Sequence, residues 1–319
     1  MLDRSTGDVA LGRFPDLLDQ LRAGDALVLN ETRVIPARMF ATRSGTGGAV
    51  ELLFVRPSTA GAWWAMAKPG KSLKPGGTLE VTGAVAQLSV RSCADGLYEI
   101  AFDGDWAALM QAAGHVPLPP YIRRADEAGD RERYQTVFAR VPGAIAAPTA
   151  GLHWTPSLLA AALERGVAVV RIVLHVGPGT FKPVSVDDPA AHVLDPEWYE
   201  IPSDAAAALA QARRGGGRVI AVGTTVARTL ETGASLLTED ARASGEVVAA
   251  GSGWTDRLIV PPYTFRGLDG LVTNFHLPRS SLLFLVSALA GREHVLAAYR
   301  RAIDEGFRFY SYGDAMFIA

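Results

Sequence analysis

Three histidines stand at positions in the sequence where a side chain could exchange protons with a ligand. His153 ends the loop within "IAAPTAGLHWTP", directly before a predicted helix that begins with Thr155 as N-cap and Pro156. His175 closes the apolar run "VAVVRIVL", and His276 follows the run "GLVTN". Because histidine titrates near neutral pH, this set indicates general acid–base chemistry. Each histidine taken alone is more often structural than catalytic.

Small and polar residues surround these histidines at the ends of the same predicted strands. In an open α/β sheet, ligands bind outside the carboxyl ends of the strands. The candidate ligand contacts are Asn30, Thr32, Arg33, Thr149, Gly151, Gly177, Gly179, Thr180, Gly223, Thr224, Thr225, Arg228 and Asn274. The alternative interpretation is that the glycines only form turns and that Thr224 and Ser280 only cap helices.

Several common catalytic and nucleotide-binding motifs are missing from the sequence. The stretch "GPGTFK" lacks the third glycine of a dinucleotide-binding motif, which argues against a dehydrogenase. The chain contains neither a P-loop nor a G-x-S-x-G nucleophile elbow. Cys93 is the single cysteine, so an internal disulfide and a cysteine-based metal site are excluded.

The elements that must position the histidines belong to an α/β pattern. "FPDLLDQLRAG" predicts a helix and "DALVLN" a buried strand near the start of the chain. After residue 145, predicted helices alternate with the apolar strands "VAVVRIVLHVG" and "RVIAVG", and the chain ends in the strand-like "FRFYSYGDAMFI". Residues 1–32 and 145–319 are therefore expected to form one α/β sheet domain, built from both ends of the chain.

The segment between these two parts has a different pattern of hydrophobic and turn-forming residues. Residues 33–122 contain short alternating runs separated by glycine and proline, which is typical of a small antiparallel β-barrel. "DWAALMQAAG" predicts one helix within this inserted domain. Residues 123–144 include the charged stretch "IRRADEAGDRERYQ" in part and are expected to form a solvated connector.

The composition is that of an ordinary globular protein. The 319 residues are 49% hydrophobic and carry a net charge of −2, which does not indicate a globally basic nucleic-acid-binding protein. Only four of the 31 basic residues are lysine, a bias that suits phosphate contacts but equally fits codon usage. The longest apolar run, residues 282–290, is too short to span a bilayer. We expect a soluble, cytoplasmic monomer.

Long blocks of the sequence resemble a known enzyme family. They occur in the family's order along nearly the whole chain: "NETRVIPAR", "GHVPLPPYI", "YQTVF", "PGAIAAPTAGLHWT", "LHVGPGTFKPV", "VIAVGTTVARTLE", "LVTNFHLPRSSLLFLVSALAG" and "FRFYSYGDAMFI". On these blocks the chain resembles the S-adenosylmethionine:tRNA ribosyltransferase-isomerases of queuosine biosynthesis.

The resemblance implies an α/β domain with an inserted barrel and an unusual use of S-adenosylmethionine as a ribosyl donor. The implied acceptor is the aminomethyl group of 7-aminomethyl-7-deazaguanine at the wobble position of tRNA. The implied products are epoxyqueuosine, adenine and methionine, with no metal required. A base must remove a proton beside the sulfonium, and departing adenine needs a proton donor; histidine suits both tasks.

The resemblance also assigns roles to the candidate residues. The catalytic residues would be His153, His175 and His276. S-adenosylmethionine would be bound by Thr149, Gly151, Gly177, Gly179, Thr180, Gly223, Thr224, Thr225 and Asn274. The substrate would be bound by Asn30, Thr32, Arg33, Arg228, Tyr312 and Asp314. A local basic surface for tRNA is expected at Arg123, Arg124, Arg131 and Arg133.

Two departures from the family pattern keep other functions open. Family members usually carry a further segment before "LDRSTGD", so either the start codon is misassigned or this member lacks a strand. In "AHVLDPEWYEIP", Asp195 stands where the family more often has a second histidine, while His192 and Glu197 remain. The alternatives are a divergent paralogue that ribosylates a free deazapurine or another small amine, and a non-catalytic tRNA-binding protein.

Overall fold

A computed structural model describes residues 1–58, 61–119, 121–122 and 124–319. The chain divides into two compact units. The first unit consists of residues 1–32, 136–141 and 148–319, and the second of residues 33–135 and 142–147. The second unit thus includes much of the segment expected to be a connector. The predicted fold class, an α/β sheet with an antiparallel barrel, is confirmed.

A seven-stranded sheet forms the centre of the first unit. With strands numbered in chain order over the whole molecule, it consists of β1 (Ala26–Asn30), β10 (Ala168–Leu174), β11 (Glu197–Ile201), β12 (Val219–Val222), β13 (Gly251–Thr255), β14 (Gly270–Asn274) and β15 (Ala315–Ile318). Their order is β13-β11-β10-β1-β12-β14-β15. The four central strands, β10, β1, β12 and β14, are parallel. The outer strands β11, β13 and β15 each pair antiparallel with their neighbours.

The parallel strands form because their side chains are apolar on both faces. Every residue of β1, β12 and β14 is buried, as expected for strands covered on both sides. In register, Asn30 lies opposite Ile172, and Val222 lies opposite Val272. One face contributes Leu27 and Leu29 to a core that also contains the fully buried Trp154.

Helices α3 (Pro156–Glu164), α4 (Ser203–Arg214) and α5 (Thr224–Ser235) pack on this sheet. The same unit also contains α6 (Glu239–Ala243), α7 (Ser281–Ala290) and α8 (Arg292–Asp304). The predicted N-cap of α3 is confirmed, because the Thr155 hydroxyl accepts the Leu158 N–H at 3.2 Å. Within the described residues no single helix meets the length and hydropathy required to cross a bilayer; α7 and α8, bent by 111°, meet them only together.

The second unit is a closed barrel of six antiparallel strands in the order β3-β4-β5-β8-β7-β6. The strands are β3 (Arg38–Arg43), β4 (Ala49–Pro57), β5 (Ala62–Lys68), β6 (Thr78–Val81), β7 (Gln87–Ala94) and β8 (Leu97–Phe102). Inward-facing side chains such as Met39, Leu52 and Ile100 fill its interior, against which Leu109 and Met110 of α1 (Trp106–Ala113) pack. The predicted alternation and helix are thus observed. A short pair of strands, β2 (Thr32–Val34) and β9 (Val141–Ala144), forms a separate sheet.

Two predicted helix and loop assignments near the sheet need correction. Residues Phe14–Gln20 form a 3-10 helix rather than an α-helix, and the segment ends in an i→i−3 bond from the Leu21 N–H to the Leu18 carbonyl. The segment before α3, expected to be a loop, is itself a 3-10 helix over Thr149–His153. Some of the backbone N–H and carbonyl groups of this segment are therefore hydrogen-bonded to one another.

Two further segments differ from the sequence prediction. The charged stretch contains a short helix, α2 (Asp130–Arg133), because Arg124 donates two hydrogen bonds to the buried Asp130. These bonds lower the pKa of Asp130 to about 2. The strand expected over 307–318 is limited to β15, because Tyr310 has φ +75° and accepts the Gly313 N–H, which makes a turn there.

Candidate active site

The candidate site lies along the edge where the parallel strands end. Because β10, β1, β12 and β14 run in the same direction, their carboxyl ends share that edge. The chain passes from β10 on one side of β1 to β12 on the other. The gap between β1 and β12 is therefore a topological switch point, where open α/β sheets bind ligands.

Asn30 ties the ends of β1 and β10 together. Its side chain is buried, with Nδ2 donating to the Leu174 carbonyl at 2.9 Å. Its Oδ1 accepts the backbone N–H groups of Leu174 at 3.0 Å and Thr32 at 3.1 Å. These bonds occupy the amide and hold Thr32 in place. Substrate binding by Asn30 stays a prediction, whereas its positioning contacts are observed.

His175 lies beside Thr32 just after β10. Its Nδ1 is 2.8 Å from the Thr32 hydroxyl, and its ring stacks on Trp198 with centroids 5.1 Å apart. Burial lowers the pKa of His175 to about 4. The ring is therefore neutral at pH 7 and held in a fixed plane, as a proton acceptor requires.

His153 is held by a chain of two polar side chains. The Thr149 hydroxyl donates to Asn274 Oδ1 at 3.0 Å, and Asn274 Nδ2 lies 3.1 Å from His153 Nε2. Phe14 stacks on the imidazole at 5.0 Å between centroids. Burial lowers the pKa of His153, and the nearby negative charge of Asp314 opposes that shift in part. The structure thus brings three of the predicted residues into one hydrogen-bonded group.

His276 forms a third group next to the end of β14. Its Nε2 is 2.9 Å from the Thr273 hydroxyl, and its backbone N–H donates to the Tyr299 hydroxyl at 2.9 Å. Desolvation by the surrounding side chains lowers the pKa of His276 to about 4. All three predicted catalytic histidines are therefore neutral near pH 7, and each has one ring nitrogen engaged by a strand-end residue.

A buried ion pair supports the loop after His175. Glu197 Oε2 pairs with Arg228 Nη1, and Glu197 Oε1 accepts the Gly177 N–H at 2.8 Å. Arg228 Nε donates to the Arg257 carbonyl at 3.1 Å. Among the described residues, Nη2 of the buried Arg228 has no hydrogen-bond partner. Arg228 was predicted to bind substrate, and the structure places most of its guanidinium in this internal pair.

The turn from β12 into α5 places small residues at the switch point. Gly223 has φ +96°, a conformation that a residue with a side chain rarely adopts, and its N–H donates to the Val272 carbonyl at 2.8 Å. The suggestion that Thr224 caps the helix is wrong, because Gly223 occupies the N-cap and Thr224 and Thr225 lie buried in the first turn. The first-turn N–H groups of α5, which have no partner within the helix, therefore lie at this edge, which favours an anionic or polar ligand.

Two predicted glycines are closely packed. A side chain on Gly151 would meet Thr136 Cγ2 at 2.7 Å, and one on Gly179 would meet Asp195 Oδ2 at 2.8 Å. Asp195 also pairs with Lys182 at 2.6 Å. The residue that departs from the family pattern therefore contacts the loop that contains Gly177 and Gly179.

The remaining predicted residues are less closely grouped. Tyr312 is exposed, and Asp314 accepts the Arg308 N–H at 2.7 Å in the turn before β15. Arg33 is exposed and belongs to the barrel unit. Thr180 lies in a 3-10 helix over Pro178–Phe181, with its side chain outside the description. Arg123 lies outside the described residues.

Sequence reasoning assigned no role to four side chains that hold the site. They are Phe14, Glu197, Trp198 and Thr273. Only Glu197 carried a usable signal, because it is spaced by two from Tyr199 and Ile201 in "EWYEI", and the structure places all three on the buried side of β11. A carboxylate at an inward position of a strand needs a buried partner.

The chain was compared with known protein families. The model of a family described as "Queuosine biosynthesis protein" matches residues 1–318. The chain belongs to this family. The family resemblance predicted from the sequence blocks is thereby confirmed. No group of three or more His, Cys, Asp or Glu side chains that could hold a metal is found in the described part of the chain.

Curated relatives and a solved structure agree with this assignment. A protein of Heliobacterium modesticaldum, named S-adenosylmethionine:tRNA ribosyltransferase-isomerase, is 48% identical over 100% of this chain and 91% of its own. One of Moorella thermoacetica with the same name is 47% identical with the same coverage. The crystal structure of S-adenosylmethionine tRNA ribosyltransferase from Thermotoga maritima is 32% identical, with a TM-score of 0.53 over 100% of this chain and 90% of that one.

Proposed function

We propose that this protein transfers and isomerises the ribosyl group of S-adenosylmethionine onto 7-aminomethyl-7-deazaguanine in tRNA. The product is epoxyqueuosine, and adenine and methionine are released. The proposal is carried by one observation: three neutral histidines, each engaged by a Thr or Asn side chain, lie along the carboxyl edge of a sheet in a chain that matches 91% of the length of a relative with that name.

The chemistry requires a base that is neutral at working pH. The sulfonium acidifies the adjacent ribose carbon, so an unprotonated imidazole can remove a proton there. Adenine then departs, the acceptor amine attacks, and methionine leaves as the ring is rebuilt. His175 and His276 fit the role of base, because burial keeps both rings unprotonated.

The proposed site for S-adenosylmethionine is the switch point between β1 and β12. The proposal is supported by the start of α5, which directly follows β12, and by the glycine-containing loop of Gly177 and Gly179, which follows β10 next to β1. We propose that S-adenosylmethionine is contacted by Thr149, Gly151, Gly177, Gly179, Thr180, Gly223, Thr224, Thr225 and Asn274. For the acceptor we propose Asn30, Thr32, Arg33, Arg228, Tyr312 and Asp314.

The deciding experiment is a turnover assay with S-adenosylmethionine and tRNA that carries the 7-aminomethyl-7-deazaguanine precursor. We expect equimolar adenine and methionine, with epoxyqueuosine detected by nucleoside mass spectrometry. Formation of S-adenosylhomocysteine would show methyl transfer instead and overturn the proposal. Precursor-free tRNA is the matched control and is expected to yield no adenine.

The proposed tRNA contact depends on local charge, since the whole chain carries −2. Arg124 is bonded to Asp130, and Arg131 donates to the carbonyls of Gln111 and Gly114, whereas Arg133 is exposed. We expect tRNA affinity to fall as salt rises, because phosphate contacts release counterions. An affinity that does not depend on salt would contradict this contact.

A second candidate function is ribosylation of a free deazapurine or another small amine. The observation that favours it is the contact of Asp195 with the loop of Gly179, where the family more often has histidine. Supplying the free base in place of tRNA in the same assay tests it. Adenine release with the free base and none with tRNA would favour this alternative.

A further inference from the structure

A cavity of about 490 Å³ lies beside His153 in the first unit. Residues 9–14, the strands β14 and β15, and α8 contribute to its wall. Sites for small organic ligands usually have volumes of about 300–1,000 Å³, so this cavity is large enough for a nucleoside. Of the residues assigned to catalysis or binding above, His153 and Asp314 line it, together with the charged side chains Arg13 and Glu305.

The wall of the cavity suits a flat, largely apolar ligand. Most of its side chains are apolar, and they include the four aromatic rings of Phe14, Phe275, Phe307 and Phe317. Aromatic side chains bind nucleobases well, because every base has a flat face that can stack on them. The methionyl group of S-adenosylmethionine is a poorer match, because its ammonium and its carboxylate each need polar partners when they are buried.

His153 supplies a polar contact at this wall. Its Nε2 lies 3.1 Å from Asn274 Nδ2, whereas its Nδ1 has no hydrogen-bond partner among the described residues. A ring nitrogen of neutral histidine donates in one tautomer and accepts in the other. Adenine offers both kinds of partner, because its ring nitrogens accept and its amino group donates. The contact can therefore form whichever imidazole nitrogen carries the proton.

The cavity lies close to the edge of the sheet proposed to bind S-adenosylmethionine. A Cβ atom built on Gly223, the N-cap of α5, would lie 3.7 Å from Ala150 Cβ. Ala150 and His153 belong to the same 3-10 helix, in which three residues advance by about 6 Å. The ribose stands between adenine and the sulfonium, so the two ends of one molecule can reach the cavity and the start of α5. The N–H groups at that helix start favour a carboxylate.

We propose that this cavity binds the adenine ring of S-adenosylmethionine, with His153 as a hydrogen-bonding contact, while the methionyl carboxylate lies at the start of α5. The identity of the ligand rests on the proposed function, and the inference deepens that function by assigning the two ends of the molecule to two places. His153 then lies beside the group that leaves, whereas His175 and His276 are the candidates for the base.

Filling the cavity tests the assignment without tRNA and without turnover. Ala302 of α8 lines the cavity and is 4% exposed, so Ala302→Leu places a larger side chain in it. We expect equilibrium dialysis to show binding of adenosine and of S-adenosylmethionine that is weaker by about tenfold or more. Ala297→Leu, at an exposed position of the same helix, is the matched control and should bind both ligands as the wild-type protein does.

The melting temperature shows whether each variant is folded. Ala298 lines the same wall and is 5% exposed, so Ala298→Leu serves if Ala302→Leu does not fold. A folded variant of either kind that binds S-adenosylmethionine with wild-type affinity would overturn the proposal.

Photolabelling locates the adenine ring directly. The probe is 2-azidoadenosine, which is irradiated with the wild-type protein and mapped by peptide mass spectrometry. Labels are expected in peptides that contain His153, α8 or β15, because these form the wall of the cavity. Labels confined to residues 177–182 and 223–228 would place adenine at the switch point and overturn the proposal.

The contact assigned to His153 has a test of its own. His153→Phe keeps a flat ring but removes both ring nitrogens, so adenosine binding should weaken about fivefold, as for the loss of one hydrogen bond. Unchanged affinity in this variant would overturn the contact.

Two further outcomes separate the adenine site from other interpretations. If free 7-aminomethyl-7-deazaguanine binds to the wild-type protein but not to Ala302→Leu, and adenosine binds to neither, the cavity holds the acceptor base and the adenine assignment is wrong. If the wild-type protein binds adenosine in the cavity but releases no adenine from S-adenosylmethionine in the presence of precursor tRNA, the proposed function is rejected and the adenine site stands.

Discussion

The interior of the barrel and the carboxyl edge of the sheet are both buried, but they are built from different side chains. The described cluster in the barrel is apolar except for Tyr98, whose hydroxyl donates to the Gly70 carbonyl. The sheet edge buries polar and charged residues: Asn30, Thr32, Glu197, Thr224, Thr225, Arg228, Thr273 and Asn274. Buried polar groups cost free energy unless they are hydrogen-bonded. This edge is therefore less favourable for folding than an apolar core such as the barrel interior.

The difference indicates how each region is specified. The barrel requires side chains of suitable volume, and no particular atom in it must face a ligand. The edge requires particular donors and acceptors, and each contact found there fixes the orientation of another group. A change in the barrel should therefore act on stability alone, whereas a change at the edge should act on turnover or on a specific buried pair.

The largest loss of stability is expected for Glu197→Gln. The glutamine leaves the buried Arg228 without its counter-ion, which costs about 3–5 kcal/mol in comparable buried pairs. Urea unfolding measures the free energy of unfolding. Glu200→Gln, on the same strand but partly exposed, removes the same charge and should change it little. Equal losses in the two variants would mean that the ion pair contributes no specific stability.

Leu52→Ala tests the barrel side of the comparison. Leu52 is 0% exposed, and truncation leaves a cavity that costs about 2–5 kcal/mol. Below the melting temperature, kcat per folded molecule should be unchanged. Val85→Ala, at a fully exposed position of the same unit, is the matched control and should alter neither quantity. A loss of kcat in Leu52→Ala at full folding would contradict the division of roles.

His175→Asn should affect turnover far more than folding. Asparagine can keep one hydrogen bond but cannot accept a substrate proton near neutral pH, so adenine release should fall a hundredfold or more, a loss of about 3 kcal/mol. Loss of the contact to Thr32 should cost only about 1 kcal/mol of stability. Single-turnover adenine release and melting temperature are measured together, with His192→Asn as control. A variant with a lowered melting temperature and normal adenine release would show that His175 has a structural role and is not the base.

The effect that is smallest for one histidine and one pH unit is a dependence of stability on pH. Burial holds the pKa values of His175 and His276 at about 4, below the usual 6.5, so the unfolded chain binds more protons between these values. Stability should therefore fall as pH decreases from 6.5 to 4, by at most about 1.4 kcal/mol per pH unit for each histidine. Urea unfolding at several pH values measures this slope. A His175→Gln, His276→Gln double variant with an unchanged slope would contradict this origin.

The sequence predicted the framework better than the contacts. Continuous apolar runs identified β1 and β12, which are buried throughout, and β10, which is buried over its last three residues, and alternation identified the barrel. It did not predict that Glu197 pairs with Arg228, 31 positions away, because such partners meet only through packing. It also extended the last strand across Tyr310, whose positive φ arises from a turn without a glycine at that position.

Two adjacent residues at the end of β14 contact two different histidines. Thr273 and Asn274 are adjacent in a strand and so point to opposite faces of the sheet, one to His276 and the other to His153. Loss of one codon earlier in this strand would shift the register and exchange the two side chains between faces. Both imidazoles would then lose their partners in a single mutational event. Length changes in this part of the gene should therefore be far less tolerated by selection than substitutions, and natural variation in length is expected to collect in the loops instead.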